Sequence, residues 1–127
     1  MQESVMKKIP TAILFGLLMT AFIGCSSVPE GTVAIKDLQK NIEQQIGQKV
    51  VVVGSVDTGV PGMSAVRLFR LYKGNDAVWV YIPEGEIAPP QGVRVRVSGV
   101  ISKKDFSAGV GERVYIEADT PSGIRME

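Results

Sequence analysis

Four consecutive valines, Val50–Val53, constrain the fold of this chain more than any other stretch. β-branched residues favour strands, and a run this short cannot cross a bilayer. Neighbouring side chains of a strand point to opposite sides, so both faces of this one are apolar, which an ordinary half-exposed strand does not tolerate. We therefore predict a strand over 47–56 that bends at Gly54 and pairs through its two ends with two sheets, as the first strand of a small Greek-key barrel does.

The first 24 residues have the pattern of an export signal. A positive pair, Lys7 and Lys8, precedes the apolar run Ile9–Ile23, and Gly24 then leads to the only cysteine, Cys25. The apolar run is shorter than the roughly 18 residues expected of a spanning helix. The sequence therefore predicts a removable signal peptide over residues 1–24.

The end of this segment, residues 21–25 (AFIGC), resembles the lipobox of bacterial lipoproteins. The resemblance implies cleavage before Cys25, which becomes acylated, with palmitate among its chains, and anchors the mature protein in a membrane. Two or three acyl chains anchor a protein stably in a membrane, whereas a single chain binds only reversibly. Ser26 takes the place where an aspartate favours inner-membrane retention, which implies the periplasmic face of the outer membrane in a Gram-negative source. The alternative is an ordinary secretory signal with an unrelated cysteine.

The rest of the chain divides into a tether over residues 25–32, a domain over 33–120 and a frayed tail over 121–127. Met6, directly before the two lysines, is an alternative start to Met1. Removal of residues 1–24 takes two lysines and one glutamate from totals of 14 basic and 13 acidic residues, which leaves 12 of each. This balance disfavours a strong nucleic-acid binder.

Residues 35–46 are predicted to form a short amphipathic helix that ends at Gly47. Its apolar side chains fall at helical spacing: Ile35, Leu38, Ile42 and Ile46. Such a helix is marginal alone, so we expect it to plug one mouth of the barrel. A partner-binding helix is the alternative.

Four further strands follow from turn residues and period-2 alternation, over Met63–Lys73, Ala77–Ile82, Val93–Ile101 and Arg113–Asp119. The polar stretch 103–112 is predicted to be a loop. In the third strand, Trp79 and Tyr81 face away from three aliphatic residues that are expected to point inward: Val78, Val80 and Ile82.

Taken in order, these elements resemble an OB fold over residues 35–119. The resemblance is carried by Ile46–Val50, Gly54, Trp79–Tyr81 and Gly92–Gly99. The chain is similar to small exported OB-fold proteins of bacteria and, at a distance, to tRNA-anticodon-binding OB domains. The predicted fold class is all-β with a small α component: a five-stranded Greek-key barrel preceded by one short helix. The helix usually found between strands three and four is missing.

The residue types of this chain disfavour catalysis. It has no histidine, and acylation would leave no free thiol, so the commonest general base and the strongest nucleophile are both missing. Two acidic pairs, Glu84 with Glu86 and Glu117 with Asp119, have a spacing that suits a weak cation site, but a solvated surface is the favoured interpretation. We therefore predict no catalytic residue, no cofactor and no metal.

One surface has the side chains for recognition, namely the outer face of the predicted hairpin with Arg70, Tyr72, Trp79 and Tyr81. The OB resemblance implies that this face takes oligonucleotides or oligosaccharides. The alternative is that these side chains only stabilise the sheet. We predict a lipid-anchored, envelope-facing binding module without catalytic activity, for a protein or other envelope ligand. A single-stranded oligonucleotide binder is the alternative, and a purely structural lipoprotein is a third possibility.

Overall fold

The computed structural model describes residues 31–106 and 109–127. The predicted signal peptide, the acylation of Cys25 and most of the predicted tether lie outside the described residues. No helix in the described part of the chain is long and apolar enough to cross a membrane.

The described residues form one α-helix and six strands. Their bounds are α1 Ile35–Lys40, β1 Lys49–Asp57, β2 Leu68–Lys73, β3 Asp76–Tyr81, β4 Arg94–Phe106, β5 Gly111–Ala118 and β6 Ile124–Met126. Two short 3₁₀ turns accompany them, Ile42–Gln45 after α1 and Ser64–Val66 before β2.

The first five strands close into a barrel in the order β1-β2-β3-β5-β4, with β4 pairing back onto β1. All of these pairings are antiparallel except that of β3 with β5, which is parallel. This is the strand order of an OB fold, so the predicted fold class is confirmed.

The bend in the first strand has a clear structural basis. β1 pairs with β4 over Lys49–Ser55 and with β2 over Ser55–Asp57, so its two ends have different neighbours, as predicted. The change of partner follows Gly54. A Cβ there would lie 2.8 Å from Cδ1 of Ile35 and 2.9 Å from the carbonyl oxygen of Tyr72. Only glycine fits where the helix and two strands converge.

The barrel core is filled by alternate residues of each strand together with the helix. Ile35 and Leu38 are 2% and 1% exposed and belong to the same buried cluster as the inward residues of β1 to β5. The helix therefore packs into the barrel core, as expected of a plug. Its predicted length is wrong. Helical geometry ends before Asn41 (φ −126°), and Ile46 is 43% exposed.

Three predicted boundaries need correction. β2 begins only at Leu68, because Arg67 takes a left-handed conformation (φ 65°) after the 3₁₀ turn. β4 continues to Phe106 through residues predicted to be loop, because β5 pairs with it along this whole length. The tail over 121–127 is not frayed, since β6 pairs with residues 95–97 of β4.

Candidate binding face

All four residues predicted for recognition lie on the outer face of the β2–β3 hairpin. Arg70 pairs directly with Trp79 across the two strands, and Tyr81 and Tyr72 lie on the same face to either side of this pair. The side chains of Trp79 and Tyr81 point outward because the residues between them, Val78 and Val80, are buried in the barrel. The four are half-buried and are close enough to act together.

Each aromatic side chain of this hairpin face has a cation next to its ring. The guanidinium carbon of Arg70 lies 5.4 Å from the ring centroid of Tyr72. Lys104 Nζ lies 5.7 Å from the ring centroid of Tyr81. The third pair joins Arg113 of β5 to Trp79, at 5.9 Å. Cations at these distances are attracted by the ring quadrupole. We call this surface the aromatic face and define it by Arg70, Tyr72, Trp79, Tyr81, Lys104, Phe106, Arg113 and Tyr115.

One end of the aromatic face is covered by neighbouring loops. The rings of Tyr81, Phe106 and Tyr115 pack together, with centroids 5.4 to 6.3 Å apart. Met63 from the β1–β2 loop and Val110 from the β4–β5 turn bury them as a second core outside the barrel. Burial raises the pKa of the Tyr115 hydroxyl above its ordinary value of 10.0. Tyr81 thus packs against this second core.

The cations of the aromatic face differ in their pairing. Nε of Arg70 lies 3.3 Å from a carboxylate oxygen of Asp57. The pKa of Asp57 is lowered, first by the hydrogen bond that the backbone N–H of Gly59 donates to it and then by Arg70. Among the described residues, no carboxylate forms a salt bridge with Lys104 or Arg113. The positive charge of the face is therefore least compensated on its β4–β5 side.

Arg113 also carries an unsatisfied donor. Its Nε is buried without a hydrogen-bond partner, while Nη1 donates to the backbone carbonyl of Glu112 at 3.3 Å. Burying such a donor costs about 1–3 kcal/mol. The unpaired Nε of Arg113 thus lowers the stability of the fold, although the contact of its guanidinium with the Trp79 ring offsets part of that cost.

A cavity of about 280 Å³ adjoins the covered end of the aromatic face. It lies between the β1–β2 loop and β4, with Tyr81, Lys104 and Arg67 among its lining residues. The guanidinium of Arg67 donates to the carbonyl oxygens of Ile82, Pro83 and Glu86 at 2.6 to 2.9 Å. These three hydrogen bonds fix the β3–β4 connection to the start of β2, so this wall of the cavity is well defined.

Sequence reasoning missed four residues of the aromatic face, namely Lys104, Phe106, Arg113 and Tyr115. The polar, glycine-containing sequence of 103–112 predicts a loop, so β4 is expected to end at Ile101. In the structure β4 continues, and residues 102, 104 and 106 share its outer side. Because residues 103–105 are all charged, no apolar alternation in the sequence indicates this extension.

Of the two acidic pairs with the spacing of a weak cation site, the pair of Glu117 and Asp119 borders the aromatic face. Glu117 lies opposite Tyr81 in the β3–β5 register and adds to the raised pKa of Tyr115. Asp119 accepts hydrogen bonds from Lys49 Nζ at 2.7 Å and from Ser98 Oγ at 3.0 Å. Lys49 is the largest cause of the lowered pKa of Asp119, and Ser98 adds to it. Within residues 31–106 and 109–127, no three His, Cys, Asp or Glu side chains converge as metal ligands would.

Comparisons with known proteins bear on the fold. The chain matches no protein-family model, and no curated protein matches it. Among solved structures, the hypothetical protein YgiW from E. coli superposes with a TM-score of 0.52 at 14% identity, over 78% of this chain and 94% of its own.

Two further solved structures superpose less well. The telomere capping protein Ten1 from S. pombe gives a TM-score of 0.47 at 15% identity, over 77% of this chain and 81% of its own. An OBody bound to hen egg-white lysozyme gives a TM-score of 0.44 at 22% identity, over 80% of this chain and 98% of its own. At these identities the likeness to YgiW supports the fold and nothing finer.

Proposed function

We propose that the chain is a lipid-anchored, envelope-facing OB-fold module that binds a protein or other envelope ligand and has no catalytic activity. The observation that carries the proposal is the aromatic face, where three cations from different strands lie next to aromatic rings on one continuous surface. Tyrosine, tryptophan and arginine are the residues most enriched at the energetic centres of protein interfaces.

The electrostatics of the aromatic face favour an acidic partner. Lys104 and Arg113 have no carboxylate partner among the described residues, so an aspartate or glutamate from a ligand would supply one. The flanking rings of Trp79 and Tyr72 would provide apolar contact around that ion pair. We therefore infer a protein segment with acidic and apolar side chains as the ligand.

The location in the envelope is supported by the sequence alone. The n-region, the apolar run and the Gly24–Cys25 pair together resemble a lipoprotein signal. Mass spectrometry of the membrane fraction is expected to show residues 1–24 absent and acyl mass on Cys25. Recovery of a soluble chain with an unmodified thiol would overturn the anchor.

A single-stranded oligonucleotide is the second candidate ligand, because aromatic rings beside cations on an OB face suit base stacking. Two observations weigh against it. The predicted mature chain has 12 basic and 12 acidic residues. The rings of Tyr72 and Trp79 are each already faced by a guanidinium, which a base would have to displace.

Site-specific crosslinking tests the proposed binding. A photoreactive phenylalanine at Tyr72 keeps an aromatic ring in the face, and the same residue at Lys36, on the exposed side of α1, is the control. In cells, we expect an adduct with an envelope protein from position 72 and none from position 36. Equal yields from both positions would contradict a binding role for the aromatic face.

A titration with oligothymidylate separates the two ligand classes. A nucleic-acid binder would quench Trp79 fluorescence, with an affinity that falls steeply with salt, by about 0.7 in log–log slope per neutralised phosphate. We expect no such binding. A steep, salt-dependent titration would replace the protein ligand with an oligonucleotide.

A further inference from the structure

The described chain enters the domain along the first half of β1. The backbone N–H of Val33 donates to the carbonyl oxygen of Val51 at 2.9 Å, on the edge of β1 that β4 does not occupy. Thr32 and Val33 lie beside Lys73 and Arg94. Anything that precedes Gly31 in the chain is therefore attached across β1 from β4, beside Arg94 at the start of β4.

The surface around this entry point is basic. We call it the seam face and define it by six charged side chains near the β1–β4 junction and on or beside β6: Lys49, Arg94, Arg96, Arg125, Asp119 and Glu127. These are four cations against two carboxylates. The side chains of Lys49 and Arg94 are 59% and 53% exposed. Positive charge thus predominates around the point where the chain enters.

Two arginines of the seam face, together with Asp119, line a cavity of about 410 Å³. Arg96 and Arg125 are directly opposed in the β4–β6 register, so their side chains lie on the same side of the sheet. Glu127 neutralises part of this charge, at 3.0 Å from Nε of Arg96. Ser98 and Ser122 add hydroxyl groups to the same cavity. Paired guanidinium groups and hydroxyls suit phosphate oxygens.

The seam face and the aromatic face lie on opposite sides of the barrel. In a closed barrel with the order β1-β2-β3-β5-β4, the strand across from the β1–β4 junction is β3. Trp79 and Tyr81 project outward from β3. A surface that contacts the seam face therefore leaves the aromatic face accessible.

We propose that the seam face lies against a bilayer surface that contains anionic phospholipids, with the aromatic face turned away from it. This inference rests on the lipid anchor of the proposed function. Five residues, 26–30, separate Cys25 from Gly31, and the six Cα–Cα steps between the two reach at most about 20 Å. The short tether would hold the basic surface close to the bilayer, and anionic headgroups attract basic surfaces within about a Debye length of 10 Å.

The test uses the full mature lipoprotein in vesicles that carry a nitroxide on some headgroups. Single cysteines replace Ser122 on the seam face or Ser64 in the β1–β2 loop, and each is labelled with a fluorophore. Both positions are exposed, and acylated Cys25 offers no thiol. In vesicles with about one-third phosphatidylglycerol, we expect about twofold stronger quenching at position 122 than at position 64. This difference should shrink in high salt.

Charge variants identify the residues that cause the difference in quenching between positions 122 and 64. Arg96→Gln with Arg125→Gln should remove most of the difference between the labels, whereas Lys36→Gln with Lys40→Gln on α1 should leave it unchanged. Circular dichroism confirms that each variant is folded. Equal quenching at both labels, with acyl mass present on Cys25, overturns the orientation alone. Absence of acyl mass overturns the anchor and this inference with it.

Discussion

The guanidinium carbon of Arg113 lies 5.9 Å from the centroid of the Trp79 ring. The two residues come from β5 and β3, the only parallel neighbours of the described barrel. The contact places a buried, unsatisfied Nε next to the aromatic face. A donor left unpaired in this way costs about 1–3 kcal/mol, and an exposed cation–ring contact returns about 0.5–1 kcal/mol. We therefore expect Arg113 to contribute more to binding than to folding.

Arg113→Met tests this expectation, because methionine preserves apolar contact with Trp79 and removes both the charge and the unsatisfied donor. We expect the free energy of unfolding to stay within about 1 kcal/mol of the wild type or to rise. The crosslink from position 72 should fall at least severalfold. Arg70→Met is the matched control for stability, since it breaks the ion pair with Asp57. A large loss of stability in Arg113→Met would contradict the expectation that Arg113 contributes more to binding than to folding.

Trp79 and Tyr81 should respond differently to replacement by threonine. Tyr81→Thr removes ring contacts with Phe106 and Tyr115, each worth about 0.5–1.5 kcal/mol, so we expect a loss of about 1–3 kcal/mol. Trp79 lies at the margin of that cluster, so Trp79→Thr should lower the free energy of unfolding by less. Urea unfolding measures both losses. The order would be wrong if Trp79→Thr proved the more destabilising variant.

Gly99, in the middle of β4, has no room for a side chain. A Cβ there would overlap the carbonyl oxygen of Glu117 and lie 2.8 Å from Cγ2 of Ile116. Because backbone atoms cannot move aside cheaply, Gly99→Ala should destabilise the fold by at least about 1–3 kcal/mol. The control is Gly59→Ala, where the nearest atom is 3.5 Å away and little loss is expected. Similar unfolding midpoints for the two variants would contradict this packing argument.

Tyr115 should make the domain sensitive to alkali. Burial raises the pKa of its hydroxyl above 10.0, so the folded state holds the proton more tightly than the unfolded chain. The resulting stability is fully present below pH 10.0 and is lost as the pH rises through the higher pKa of the folded state. Tyr115→Phe should therefore flatten the alkaline fall in the urea midpoint. Tyr72→Phe is the matched control, and an equal change in both variants would contradict the prediction.

The sequence predicted the parts of the fold that local pattern controls. Gly54 after four valines indicated a strand that changes partners, and the alternation around Trp79 separated inward from outward residues. Both inferences follow from period-2 geometry and the shape of glycine. The hairpin half of the aromatic face was predicted on the same basis.

The missed parts depend on partners distant in sequence. Residues 103–105 are charged and exposed, so they resemble a loop, but the β5 ladder extends β4 through them. β6 forms because β5 ends at Ala118 and leaves the edge of β4 open over residues 95–97. The aromatic cluster with Phe106 and Tyr115 could not be predicted without that register.

The two ends of the described chain meet at Arg94. Thr32 and Val33 lie beside its side chain, and the backbone N–H of Glu127 donates to its carbonyl oxygen at 3.0 Å. A reporter domain fused after Glu127 would thus lie at the same end of the barrel as the tether, where it would compete with lipid headgroups for space. A reporter inserted in the exposed turn at Asn75 would not avoid this end, because Lys73, two residues earlier, lies beside Thr32 and Val33.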